Sequence, residues 1–194
     1  MKSFAGPGYR VLMLIVALGF CGTVAAADMD AAVDRLKDGD VLLLRHAIAP
    51  GFGDPEGFRV EDCSTQRNLS EAGRRQARAI GAWLRARGIN GARVYSSQWC
   101  RCLETAELLN LGEVTPLPAL NSFFERTADR EPNLRALRAF LAKRPPFNGP
   151  LVLVTHQVTI TAMTGIFPGS GEGVVAKVAA DGGLSDFARL GFDE

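Results

Sequence analysis

Val41-Leu42-Leu43-Leu44-Arg45-His46 and Leu151-Val152-Leu153-Val154-Thr155-His156 follow one pattern: four apolar residues, one polar residue, then a histidine. A short, continuous apolar run bounded by turn residues predicts a strand buried on both faces. Asp38-Gly39-Asp40 supplies the turn before the first copy, and Pro145-Pro146 with Gly149-Pro150 the turns before the second. Arg93-Val94-Tyr95-Ser96 predicts a third strand, and Val114 to Leu117 and Val174 to Val178 two more. Helices are expected between them. Ser70 is a good N-cap, Glu71 suits the first turn, Ala77, Ile80 and Leu84 recur at helical spacing, and Gly88 ends the segment. Ser97 is placed to cap a helix from Trp99 to about Leu109; Leu134, Leu137 and Leu141 mark a third helix, and a fourth should begin just after His156. Strands alternating with amphipathic helices predict an α/β fold, a three-layer α/β/α sandwich around a mostly parallel sheet. Ligands of such sheets bind beyond the carboxyl ends of the strands, where both histidines are expected.

The first 27 residues are expected to be a secretory signal peptide. Lys2 and Arg10 form a weakly basic start, Val11 to Phe20 an apolar run, and Ala25-Ala26-Ala27 a small-residue cleavage site. The apolar run is short for a bilayer span, so no stable membrane insertion is expected after signal removal. An uncleaved anchor is the alternative. Bulky Phe20 before Cys21 argues against a lipoprotein site. Residues 28–194 then form one domain, periplasmic or secreted. Loss of Lys2 and Arg10 takes the basic count from 22 to 20, against 21 acidic residues. That balance offers no electrostatic case for nucleic acid, so a bound anion must be held by locally placed cations. Cys63, Cys100 and Cys102 remain, which in an oxidising compartment suggests one disulfide and one leftover thiol.

The chain has only two histidines, His46 and His156, and they occupy matching positions. The plainer account makes both structural; two at matching strand ends, one beside Arg45, favour a shared site. Neutral imidazole is a competent nucleophile near neutral pH, and guanidinium groups pair with phosphate oxygens in forks. The combination suits phosphoryl transfer. Arg101 lies where the third strand hands over to a helix, a place that favours anions. The alternative for Arg101 is a surface pair with Glu104. Ala47 to Asp62 is rich in Gly and Pro and starts directly after His46, so it is expected to form a flap over the site. No Gly-x-x-x-x-Gly-Lys-Ser/Thr loop occurs, and two histidines without nearby acids or paired cysteines make a poor metal site.

These segments resemble the histidine phosphatase superfamily, with its phosphoglycerate mutase-like fold. Arg45-His46-Ala47 is similar to its Arg-His-Gly signature. Ser97, Arg101, Thr105 and Ala106 fit its later motif, and Leu69-Ser70-Glu71-Ala72-Gly73 with Gln76-Ala77 resembles the opening of its first long helix. The resemblance implies a phosphatase that acts on phosphate monoesters without metal or cofactor. His46 would be the phosphate acceptor, and Arg45, Arg101 and His156 would surround the phosphate. Arg67 and Gln157 would be substrate-binding candidates, with a surface salt bridge the alternative for Arg67. The family's proton donor often follows as Leu-x-Glu. Here Leu120-Asn121-Ser122 has Ser in that place and Glu125 three residues later is the candidate; Gln157 stands where other members put an acid. Cys63 and Cys100 flank the expected pocket and would tie the flap to the arginine helix, with Cys102 the alternative partner. The stretch from Cys63 to Leu69 is similar to periplasmic phosphatases of lipopolysaccharide core heptose, which implies a sugar phosphate as the partner. A protein phosphohistidine phosphatase and a non-catalytic phosphate-binding module are the alternatives.

Overall fold

A computed structural model describes residues 1–2, 22–143 and 149–192. Most of the expected signal segment lies outside these residues. The first helix, α1 (Gly22–Lys37), runs across the expected cleavage point after Ala27.

The other elements are β1 (Val41–Arg45), α2 (Glu71–Ala86), β2 (Arg93–Ser96), α3 (Cys100–Leu109), β3 (Val114–Pro116), α4 (Arg130–Lys143), β4 (Leu151–Thr155), α5 (Gln157–Thr164), β5 (Gly173–Val178) and β6 (Leu184–Leu190). They build one sheet in the order β3-β2-β4-β1-β5-β6. The first four strands in that order run parallel, while β5 and β6 are antiparallel to their neighbours. The sheet is therefore mixed, and all five predicted strands are present.

Alternation along the apolar runs divides the core in two. Leu42, Leu44, Val152 and Val154 face α1, α2 and α3, packing on Leu36, Ile80, Leu84, Cys102, Ala106 and Leu109. Val41, Leu43, Leu151 and Leu153 face the opposite way, onto Leu137 and Leu141 of α4 and Ile160 of α5. That is the three-layer arrangement the apolar runs predict.

Ser70 caps α2 as expected, its Oγ accepting from Gly73 N. Two glycines let α2 come close to its neighbours. A Cβ on Gly73 would lie 2.1 Å from the Ile48 carbonyl oxygen, and one on Gly81 2.0 Å from that of Leu109. The first approach seats α2 against the loop that leaves His46.

Two features differ from the sequence reading. Helix α3 is capped by no side chain; Ser97 Oγ accepts weakly from Trp99 N at 3.3 Å and faces His156 instead. Strand β6 was not predicted. It is an edge strand with mostly exposed residues, a left-handed Asp186 (φ 52°) and a register shift against β5, so its apolar alternation is weak.

Candidate active site

Strands β1 and β4 are parallel neighbours with Arg45 opposite Thr155. The next residue of each is a histidine, so this register brings both imidazoles to the same sheet edge. Their ring centroids lie 5.6 Å apart at 69°, and both residues are buried, at 2% and 4% exposure. His46 Nδ1 is 2.8 Å from its neighbour's carbonyl, Ala47 O. A carbonyl only accepts, so Nδ1 carries the proton and Nε2 keeps its lone pair. Ala47 N donates to Thr105 Oγ1, and Thr105 Oγ1 donates to Arg101 O, which ties the strand end to α3. His156 Nε2 pairs with Ser97 Oγ at 2.9 Å and lies 3.5 Å from Cys102 Sγ.

Burial, reinforced by the charge of Arg101, pushes the His46 imidazole down from 6.5 to about 3 and that of His156 well below its usual value. Neither ring is expected to titrate between about pH 5 and 8. A histidine-selective 15N NMR titration checks this, since the chain has only two histidines. An inflection near 6.5 in either ring would contradict it. Depressed values mean that the unfolded chain binds more protons in this window. The neutral rings' contribution to stability is thus complete above about pH 6.5 and is lost as pH falls, for His46 down to about 3.

Four arginines line the same cleft, Arg45, Arg67, Arg101 and Arg126; the last is exposed and pairs with Asp129 at 3.1 Å. Arg45 Nη1 donates to Pro168 O at 2.9 Å. Among the described residues Arg67 makes no salt bridge; its Nε donates to Gly53 O at 2.7 Å and its Nη1 to Ala49 O, bracing the flap. Glu104 does not hold Arg101 but pairs with Arg74 at 2.6 Å. Arg101 instead grips Asp54 of the flap through Nη1 to Oδ1 (2.8 Å) and Nη2 to Oδ2 (3.1 Å), with side chains 4% and 5% exposed. The Nε atoms of Arg45 and Arg101 are buried without a hydrogen-bond partner. Burial, then Arg101, pulls the Arg45 and Arg67 guanidinium groups below their ordinary value. Buried cations that repel one another and still have unused donors suit a bound anion.

The flap, residues 47–62, forms one wall. Gly51 and Gly53 adopt left-handed backbone (φ +95° and +67°), and a Cβ on Gly53 would meet Glu125 Oε1 at 2.7 Å. That same Oε1 accepts from Asp54 N at 2.8 Å, so Glu125 both lines the cleft and holds the flap. Gln157 lines the cleft too, with its Nε2 donating to Thr161 Oγ1. Phe52 and Phe124 meet edge to face at the rim, centroids 4.9 Å apart.

Cys63 and Cys100 form a disulfide, with Cα atoms 5.7 Å apart and the two cysteines 37 positions apart in sequence. Cys102 is a buried thiol that burial pushes up to about 12, which leaves it un-ionised and a poor nucleophile. Replacing Cys63 and Cys100 together with serine is expected to cost about 3–4 kcal/mol in the chain-entropy account, read as a lower urea midpoint. An unchanged midpoint would show that the bridge does not constrain the unfolded chain.

Among the described residues no three His, Cys, Asp or Glu side chains gather as a metal cradle, and no helix is long and apolar enough to cross a membrane. Asp54 and Asn121 were not found from sequence. Asn121 Oδ1 accepts from Ser97 Oγ and Gln98 N. Asp54 is one of four acids in the flap, with Glu56, Glu61 and Asp62, and no pattern in the sequence singles it out.

Residues 41–130 match the model of the Histidine phosphatase superfamily (branch 1). That range contains His46, Arg67, Arg101 and Glu125 and ends before β4 and His156. Several solved structures share the fold. The protein histidine phosphatase SixA complexed with tungstate is 18% identical, aligned over 77% of this chain and 96% of its own, with a TM-score of 0.53. A structure described as mycobacterial hydrolase 1 is also 18% identical, over 77% and 95%, at 0.55. The product of an open reading frame from Mycobacterium tuberculosis is 18% identical over 79% and 97%, at 0.54. No curated protein matches the chain in sequence.

Proposed function

We propose, from the match of residues 41–130 to the histidine phosphatase superfamily, that the chain is a member of that superfamily and hydrolyses phosphate monoesters through a phosphorylated His46. The observation that carries this reading is the single lone pair of His46 Nε2, freed by the Nδ1 contact to Ala47 O, beside guanidinium groups with unused N–H donors.

In this reading Nε2 attacks phosphorus in line, forming the P–N bond as the P–O ester bond breaks. Protonated Glu125 gives its proton to the leaving oxygen. Glu125 carboxylate then takes a proton from water as that water attacks phosphorus and the P–N bond breaks. The products are an alcohol, inorganic phosphate and free His46. Arg45, Arg101 and His156 stabilise the equatorial oxygens, and Arg67 adds positive charge. Arginine charge takes the place of a metal here, so the reaction is proposed to run with chelator present.

A sugar phosphate such as lipopolysaccharide core heptose phosphate is the proposed substrate. The rim supports it: the exposed Phe52–Phe124 pair offers a face for a sugar ring, and Ser122, Glu125 and Gln157 offer polar partners for hydroxyls. Export to the periplasm or outside the cell is proposed on the N-terminal composition, and the Cys63–Cys100 bridge is compatible with it. Ser122 at the expected acid position favours a second reading, hydrolysis of phosphohistidine on proteins, whose leaving group needs no strong acid.

Purified protein assayed on p-nitrophenyl phosphate, a phosphorylated sugar and a phosphohistidine peptide, each with chelator, tests these readings. Phosphate release from none of them would sink the enzyme reading. Glu125→Gln is expected to slow sugar phosphate hydrolysis by about 10²-fold or more while barely changing p-nitrophenyl phosphate, whose leaving group needs little protonation. Equal losses on both substrates would remove Glu125 as the acid.

A further inference from the structure

Asp54 has no role in the chemistry above, yet its carboxylate accepts four hydrogen bonds in the cleft. Its Oδ1 accepts from Arg101 Nη1 and from Arg67 N, and its Oδ2 from Arg101 Nη2 and Trp99 Nε1, at 2.8 to 3.1 Å. Its own N–H donates to Glu125. Burial pushes its carboxyl up, but the Arg101 contacts and charge, helped by Arg67 N–H and Trp99 N–H, outweigh that and hold it below the usual carboxylate range. It is therefore a fixed anion and not a proton donor at neutral pH.

A guanidinium group has two forks, one end-on across Nη1 and Nη2 and one side-on across Nε and Nη2. Asp54 fills the end-on fork of Arg101, and Arg67 O takes the second Nη1 hydrogen. The donors left are those of the side-on fork, and Nε is buried without a partner. We propose that Asp54 is a positioning residue that turns Arg101 so that its side-on fork, Nε–H and Nη2–H, receives two phosphoryl oxygens. The inference rests on the phosphatase reading. Asp54 also sets the charge of the cleft. Its negative charge offsets part of the positive charge that Arg45, Arg67 and Arg101 bring to the cleft.

Asp54→Asn keeps the size of the side chain but loses the two-oxygen acceptor, freeing Arg101 to rotate. On p-nitrophenyl phosphate it is expected to lower kcat about tenfold or more. KM and the inhibition constant of inorganic phosphate should change less than about threefold, because the added net charge offsets the lost orientation. A faster variant would mean that Asp54 competes with substrate, and would overturn the proposal. So would an unchanged kcat, or a kcat loss matched by an equal loss of phosphate affinity. Should the substitution prevent folding, the wild-type protein decides. Its assigned Arg101 Nε–H resonance should shift on addition of inorganic phosphate, and an unmoved resonance rejects the side-on fork. That measurement needs no turnover. A protein inactive on every ester would refute the phosphatase reading and still leave the orientation of Arg101 testable.

Discussion

His46→Ala is expected to abolish phosphate release, with a fall in kcat of about 10⁴-fold or more, the scale seen when a nucleophile is removed. The argument starts at the backbone. His46 N donates to Thr155 O and His46 O accepts from Gly171 N, so the residue is anchored on both sides whatever its side chain. Alanine keeps those bonds and removes only the ring, so the fold should persist while the nucleophile is lost. Burial and neighbouring arginines keep that ring neutral far below neutral pH, so no deprotonation step precedes attack. The remaining cationic cleft cannot replace a covalent route, because water would then have to attack the ester directly. Rapid acid-quench labelling should find a phosphoenzyme in wild type and none in the variant. Wild-type turnover by His46→Ala would dismiss the covalent mechanism.

Arg101→Ala is expected to act on both function and stability. Loss of a preorganised donor to the transferring phosphoryl group should cost about 10²–10³ in kcat. The substitution also strands Asp54, a carboxylate only 5% exposed, without its cation. Breaking a buried ion pair from one side costs about 3–5 kcal/mol. In a domain of this size that is a fall in melting temperature of about 10 °C. Adding Asp54→Ala should recover much of the stability and none of the activity, because the uncompensated charge has gone but the donor has not returned. Single and double variants that melt together would refute the coupling. The pH dependence has a definite sign. Asp54 sits below its unfolded value in the wild type, so its contribution is present above about pH 4 and is lost as pH falls through its folded value. In Arg101→Ala the stranded carboxylate prefers its proton, so the gap to wild type should narrow in acid.

How far the chain could be read without coordinates depended on how local each signal was. The two apolar runs ending in histidine, the Ser70 cap and the leucine spacing of α4 depend on neighbours a few residues away, so they specified the strands, the helices and the sheet edge carrying His46 and His156. The superfamily likeness in Arg45-His46, Ser97 and Arg101 rests on the same kind of short pattern. What folding alone decided were pairings across long stretches of chain: Cys63 with Cys100 and not Cys102, Arg101 with Asp54 and not Glu104, Arg67 with flap carbonyls, Ser97 with His156. An arginine in the first turn of a helix carries no mark of which carboxylate it will meet 47 positions away. Nor does an edge strand such as β6, half exposed and bulged, show the alternation that betrays a buried one. Composition and periodicity report burial, whereas ion pairs and bridges follow from where the backbone delivers each side chain, and that is a property of the packed layers.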